Sequence, residues 1–194
     1  MKQIVMLLVI GFAATAFAQS YTLGEGTEAR FYLDEVLLGS DKTVIGVTPL
    51  VTGEFSFDLS DPQTAELGPI TIDARDLTTD DNRRDRQIRN RVLASSEDAF
   101  QFITFEPTAI EGLPETAAVG DTFEVQIAGN LTIKDVTREE VFTVNLIVAE
   151  NELQGLGSTI IRHADYGLTI PRVPIVASVA DEVKLELDFT ATAN

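Results

Sequence analysis

The sequence predicts an all-β protein: a closed antiparallel β-barrel of about eight strands with one short α-helix. Two observations carry this. Apolar and polar residues alternate with period two in runs that recur from about Glu28 to the end of the chain, and turn-forming residues separate the runs at hairpin spacing. No strand–helix–strand rhythm appears, so a parallel sheet is not expected. About eight antiparallel strands must hide their edges, and closing the sheet does so most completely.

Residues 1–18 stand apart from this pattern. Lys2 is their only charge, residues 4–16 form an apolar run, and Ala16-Phe17-Ala18 offers the small residues a signal peptidase needs. A leader cleaved near Ala18–Gln19 is expected, leaving 19–194 as one domain in the periplasm or outside the cell. The run falls short of the ~20 residues a bilayer core demands, so stable membrane insertion is not expected. The chain has no cysteine, so its stability must come from burial and strand pairing rather than from disulfides.

Each element has its own signal. A two-sided strand fits 28–37, and Gly39-Ser-Asp-Lys42 ends it. Over 51–59, Val51, Gly53, Phe55, Phe57 and Leu59 share one face while Thr52, Glu54, Ser56 and Asp58 take the other. This is a strand with one wet side. Asp61-Pro-Gln-Thr64 turns the chain into a short strand over 70–74. Asp80-Asp-Asn82 then supplies capping side chains for a helix over 83–93, whose Ile88 and Val92 lie four apart on one face. Further strands fit 100–110, 123–133, 136–148, 153–162 and 183–189, with Lys134-Asp135 and Glu150-Asn-Glu152 as tight connections.

A barrel of this strand number either fills itself with side chains or holds one small ligand. Its inward wall, read from the alternation, is Phe55, Phe57, Ile70, Ile72, Ile103, Phe105, Val125, Ile127, Leu131, Leu185, Leu187 and Phe189. Gly53, Gly129, Gly155 and Gly157 fall on the same faces. They mark either bends of the sheet or places where missing side chains leave lumen.

Net charge is −17, which excludes nucleic acid and disfavours anionic membrane surfaces in general. Catalytic constellations are missing. His163 is the only histidine, and a lone imidazole with no cysteine supplies neither a nucleophile–base pair nor a transition-metal set. Asp80-Asp81 and Glu139-Glu140 lack the spacing of a calcium loop. No enzyme activity, metal or cofactor is expected. The polar anomaly is Arg83, Arg84, Arg86, Arg89 and Arg91, five arginines within nine residues of an acidic chain. They either pair with Asp80, Asp81, Asp85 and strand carboxylates, or form an anion site at the barrel mouth. In the second reading Arg84 and Arg89, with Arg162 and Arg172 from other loops, would hold a ligand's head group.

With these pieces in order the chain resembles the YceI-like family of polyisoprenoid-binding proteins. Gly53-Glu-Phe55, Leu77-Thr78, Arg84-Asp85-Arg-Gln-Ile88 and Ile103-Thr-Phe105 match family segments in the family's order. So do Gly129-Asn-Leu-Thr-Ile-Lys-Asp-Val-Thr-Arg138 and Arg162 with Asp165-Tyr-Gly167, although Asp135 stands where the family usually has glycine. The resemblance implies a lipocalin-like barrel with an apolar tunnel and an isoprenoid or similar long-chain lipid as ligand. It also implies a periplasmic location and a link to stress responses. A ligand-free β-structural or interaction module and a lipocalin-like enzyme are the alternatives, and a homodimer stays open.

Overall fold

A computed structural model describes residues 18–194, so the expected leader lies outside the described residues except for Ala18. Thirteen strands form one sheet: β1 (Gln19–Leu23), β2 (Glu28–Leu37), β3 (Ser40–Thr48), β4 (Val51–Thr52), β5 (Glu54–Phe57), β6 (Glu66–Leu67), β7 (Ile70–Asp73), β8 (Phe102–Glu111), β9 (Thr122–Ile133), β10 (Val136–Ala149), β11 (Glu152–Arg162), β12 (Val176–Val179) and β13 (Glu182–Ala193). Every neighbouring pair is antiparallel. Alternation is clean in the long β9. In β9, Val125, Gly129, Leu131 and Ile133 are buried on one face, and the exposed Glu124 and Gln126 face the other way. Lys134 and Asn151 make their two-residue hairpins with φ of 57° and 62°, the left-handed backbone such turns require.

Thirteen strands stand where about eight were expected because several long strands are broken and change partners. β1 pairs with Ala191, Thr192 and Ala193 of β13, whereas β2 pairs with residues 184–188 of the same strand. Between them the buried Thr27 turns its hydroxyl into the ladder, donating to the Thr190 carbonyl at 3.2 Å and accepting from the Thr190 N–H at 3.3 Å. The strand expected over 51–59 is likewise split at Gly53, with β4 on β7 and β5 on β1. β1, β3, β6 and β12 were not anticipated. The break expected at 39–42 falls earlier, at Leu38-Gly39, and Ser40 to Lys42 already belong to β3.

The sheet curls, in the order β4-β7-β8-β9-β10-β11-β13-β1-β5-β6, around an apolar interior, with β2, β3 and β12 extending one side. Two buried clusters fill its ends. One gathers Phe105, Leu131, Ile133, Ile161 and Tyr166 beneath Val92 and Leu93; the other gathers Tyr21, Phe57, Val125, Val144 and Leu153. The helix expected over 83–93 is two pieces, α1 (Asn82–Gln87) and a wider π turn, Ile88–Val92. Asp81 caps α1 by accepting from the Arg83 and Arg84 amides at 2.8 and 2.9 Å. The Leu93 N–H then reaches five residues back to the Ile88 carbonyl at 2.8 Å, and this wider turn accompanies the burial of both Val92 and Leu93. Asp85, also buried, accepts from the Thr79 N–H and hydroxyl at 2.7 and 2.6 Å, which holds the helix to the strand-like segment that reaches it. That segment is stitched to β3 by two Val47–Thr78 bonds of 2.9 and 3.0 Å. Among the described residues no helix is long and apolar enough to cross a membrane.

Candidate functional site

Inside the curl lies a cavity of about 760 Å³. All twelve residues read as the inward wall line it: Phe55 and Phe57 from β5, Ile70 and Ile72 from β7, Ile103 and Phe105 from β8, Val125, Ile127 and Leu131 from β9, and Leu185, Leu187 and Phe189 from β13. The structure adds Phe31 and Leu33 from β2, Val44 from β3, Phe142, Val144 and Leu146 from β10, and Ile88, Val92 and Leu93 from the helical segment. The loop after β11 adds Leu168 and Ile170. Phe31 and Leu33 carried a signal, since they alternate with Arg30, Tyr32 and Asp34. The loop residues carried none, because no period governs them. Phe105 and Phe142 meet edge to face with centroids 4.9 Å apart, a favoured aromatic geometry that braces the wall.

Of the four glycines that the sequence left open between bend and lumen, Gly53 and Gly157 line the cavity, whereas Gly129 and Gly155 do not open it. A Cβ on Gly129 would stand 2.6 Å from the Phe105 ring, and one on Gly155 would stand 2.5 Å from the Phe189 ring. Both therefore seat aromatic side chains of the wall. Gly46, which the sequence did not single out, does the same for Phe31 at 2.0 Å.

Polar side chains in and around the wall are already engaged. Thr48 donates its hydroxyl to the Asp73 carbonyl at 3.1 Å. His163 Nδ1 lies 3.0 Å from the Leu168 carbonyl; that oxygen can only accept, so Nδ1 carries the proton and the ring pins the loop. Glu186 sits beside Arg30 and Lys184 and accepts from Tyr32 at 3.0 Å. Burial alone would raise its carboxyl, but the Lys184 ammonium, the Tyr32 hydroxyl and the Arg30 guanidinium hold it below the usual range. Among the described residues no three His, Cys, Asp or Glu side chains gather as a metal set.

The arginines divide between pairing and the cavity mouth. Arg84 pairs with Asp80 and with Glu35, the latter at 3.1 Å, and also lines the cavity. Arg83, Arg91 and Arg172 line it too and are solvent-exposed, which places them at its opening. None of the three has a carboxylate within ion-pair distance among the described residues. Arg89 and Arg162 are not brought to the cavity. Arg89 turns back to donate to the Arg75 carbonyl at 3.1 Å. Arg162 lies in an outer cleft with Arg138, Glu140 and Asp165. Strand parity could have placed it there, since its neighbour Ile161 is buried.

A curled antiparallel sheet around a largely apolar cavity, with exposed arginines at its opening, defines a hydrophobic-cavity protein. The chain belongs to the YceI-like family, whose domain model matches residues 22–191. Solved structures share the fold at low identity. BcnA of Burkholderia cenocepacia is 18% identical, with 86% of this chain and 96% of that one covered at a TM-score of 0.65. A polyisoprenoid-binding domain from Saccharophagus degradans, implicated in plant cell wall breakdown, is 12% identical, with 92% and 100% covered at 0.66. The YceI protein of Campylobacter jejuni is 14% identical, with 77% and 84% covered at 0.61. No curated protein matches the chain.

Proposed function

We propose that this protein holds an isoprenoid or similar long-chain lipid in its cavity, for carriage or sequestration across an aqueous compartment, and that it performs no chemistry on it. One observation carries the reading: a continuous apolar space of about 760 Å³, walled by aromatic and branched aliphatic side chains from most strands of the sheet. That volume lies within the ~300–1,000 Å³ of small-molecule sites. The polyisoprenoid-binding relative from Saccharophagus degradans supports the ligand class. The pairing of β4 with β7 and of β5 with β1, on either side of Gly53, supports a barrel closed around the ligand. Arg84 and Arg172 at the opening would orient a polar head. Cleavage near Ala18–Gln19 would deliver the carrier to the periplasm or the medium, where apolar chains need an escort through water.

Native mass spectrometry of gently purified protein tests this directly. A co-purifying lipid, displaced when Phe57 or Ile127 is replaced by a charged residue in a folded variant, is the expected result. Protein that carries no lipid and takes up neither farnesol nor geranylgeraniol from solution would overturn it.

A further inference from the structure

We infer that the rim of the cavity is a docking surface for an anionic lipid bilayer, so that the opening faces the membrane while lipid is exchanged. This rests on the lipid-holding function proposed for the cavity and adds where the lipid comes from. The first observation is Leu38. It is 77% exposed and takes a φ of 51° in the turn between β2 and β3, beside Gly39 at 82°. Left-handed backbone disfavours leucine, and asparagine or glycine would serve the turn at lower cost. The fold therefore tolerates an unfavourable residue twice over, in conformation and in exposure, and Leu38 belongs to neither buried cluster.

The second observation is where that turn lies. The Leu38 N–H donates to the Ile175 carbonyl at 2.9 Å, which joins the hairpin tip to the loop after Leu168. In that loop Val173 is 43% and Ile175 54% exposed, and both line the cavity. Three exposed apolar side chains thus gather at one edge of the opening.

The third is charge. Arg83, Arg91 and Arg172 share this opening without ion-pair partners among the described residues, in a chain of net charge −17. Three nearby carboxylates are already engaged, Asp80 with Lys42 and Arg84, Glu35 with Arg84, and Asp81 with the amides at the start of α1, which leaves the exposed Asp41 in the Leu38 hairpin as a lone acid beside three free arginines. Whole-chain charge argues against anionic membranes, but the rim is the local exception. An anionic bilayer repels the acidic body and attracts a cationic, apolar rim, which selects the one orientation that brings the cavity mouth to the lipid. A purely apolar partner surface would leave these cations unanswered.

Flotation of the purified protein with vesicles of phosphatidylcholine, and of phosphatidylcholine mixed with phosphatidylglycerol, tests the inference. Binding is expected only to the mixed vesicles, weakening as salt screens the charges. Arg83→Gln and Arg91→Gln should each weaken it about fivefold, and Leu38→Asn, whose asparagine suits the turn, about tenfold or more. Leu38→Asn should leave titration of the cavity with the neutral probe N-phenyl-1-naphthylamine unchanged. Equal binding to both vesicles, no binding, or indifference to Leu38→Asn overturns the docking surface. So does self-association that Leu38→Asn abolishes without vesicle binding, which would give the rim to a second copy. Vesicle binding without uptake of the probe would instead sink the lipid-holding function alone.

Discussion

The ring of Phe189 lies over Gly155, its cross-strand partner, so closely that a Cβ on residue 155 would stand 2.5 Å from the ring Cζ. The Asn145 carbonyl stands 3.1 Å from that same Cβ position, so the ring, not the backbone, has to move. Overpacking of this kind costs about 1–3 kcal/mol. Gly155→Ala should lower the urea midpoint accordingly with an unchanged slope, and should weaken uptake of N-phenyl-1-naphthylamine because Phe189 is part of the wall. Gly39→Asn is the control: nothing lies within 4 Å, asparagine accepts the positive φ, and the change should stay within about 0.5 kcal/mol. Equal effects at the two positions would contradict the seating of the ring.

Asp85 poses a different question, whether its charge or its oxygen matters. Both bonds from Thr79, N–H and hydroxyl, go to the same atom, Oδ1. Asparagine keeps that oxygen; alanine removes it, leaving the Thr79 N–H without a partner at about 1–3 kcal/mol and the hydroxyl with only its 3.5 Å bond to the Asp81 carbonyl. Thermal melts should therefore order the proteins as wild type, then Asp85→Asn close behind, then Asp85→Ala well below. If asparagine proves as damaging as alanine, the acceptor account is wrong and the carboxylate's charge is what the site requires.

All three tyrosines titrate above their ordinary value of 10.0: Tyr21 through burial, Tyr32 through burial and its bond to Glu186, and Tyr166 through burial and its 2.8 Å bond to Glu140. The folded chain holds these phenols protonated more tightly than the unfolded chain does. Their stabilisation is thus fully present below the unfolded value and is lost as pH rises through the folded one. Tyr166→Phe should cost about 1 kcal/mol near neutral pH through the lost hydrogen bond. It should also flatten the decline in stability between about pH 8 and about pH 11, either side of the free phenol's ~10. Urea melts at both ends check it, and a decline as steep as wild type would remove Tyr166 from the explanation.

Much of the fold was legible in the sequence, for a physical reason. β9 and β13 have one wet and one dry face, so composition alternates and the wall residues declare themselves. β3 hid because Ile45 is an exposed isoleucine next to the buried Val44, which blurs the period. β1 and β12 are too short to show one, at five and four residues. The helix start was readable from its capping aspartates. Its end was readable to within a residue, but the π turn after Gln87 was not, and that turn shifts the phase so that Arg89 swings away from the mouth while Arg91 stays. Cavity volume lay beyond reach altogether: the same apolar faces could have packed solid.

The relative weight of tail and head gives the last prediction. At ~0.8 kcal/mol per buried methylene-sized group, one five-carbon prenyl unit contributes roughly 3–4 kcal/mol as an upper estimate. A charge-assisted contact from Arg172 or Arg84 at the exposed opening offers no more than about 1–3, and less once Glu35 and Asp80 compete for Arg84. Competition against N-phenyl-1-naphthylamine should therefore separate farnesol from geranylgeraniol by more than it separates either alcohol from its own phosphate. Arg172→Gln should narrow the alcohol–phosphate gap and leave the chain-length gap untouched, since the guanidinium meets only the head. Affinity that ignores chain length but tracks the phosphate would mean that the opening, and not the apolar wall, does the binding.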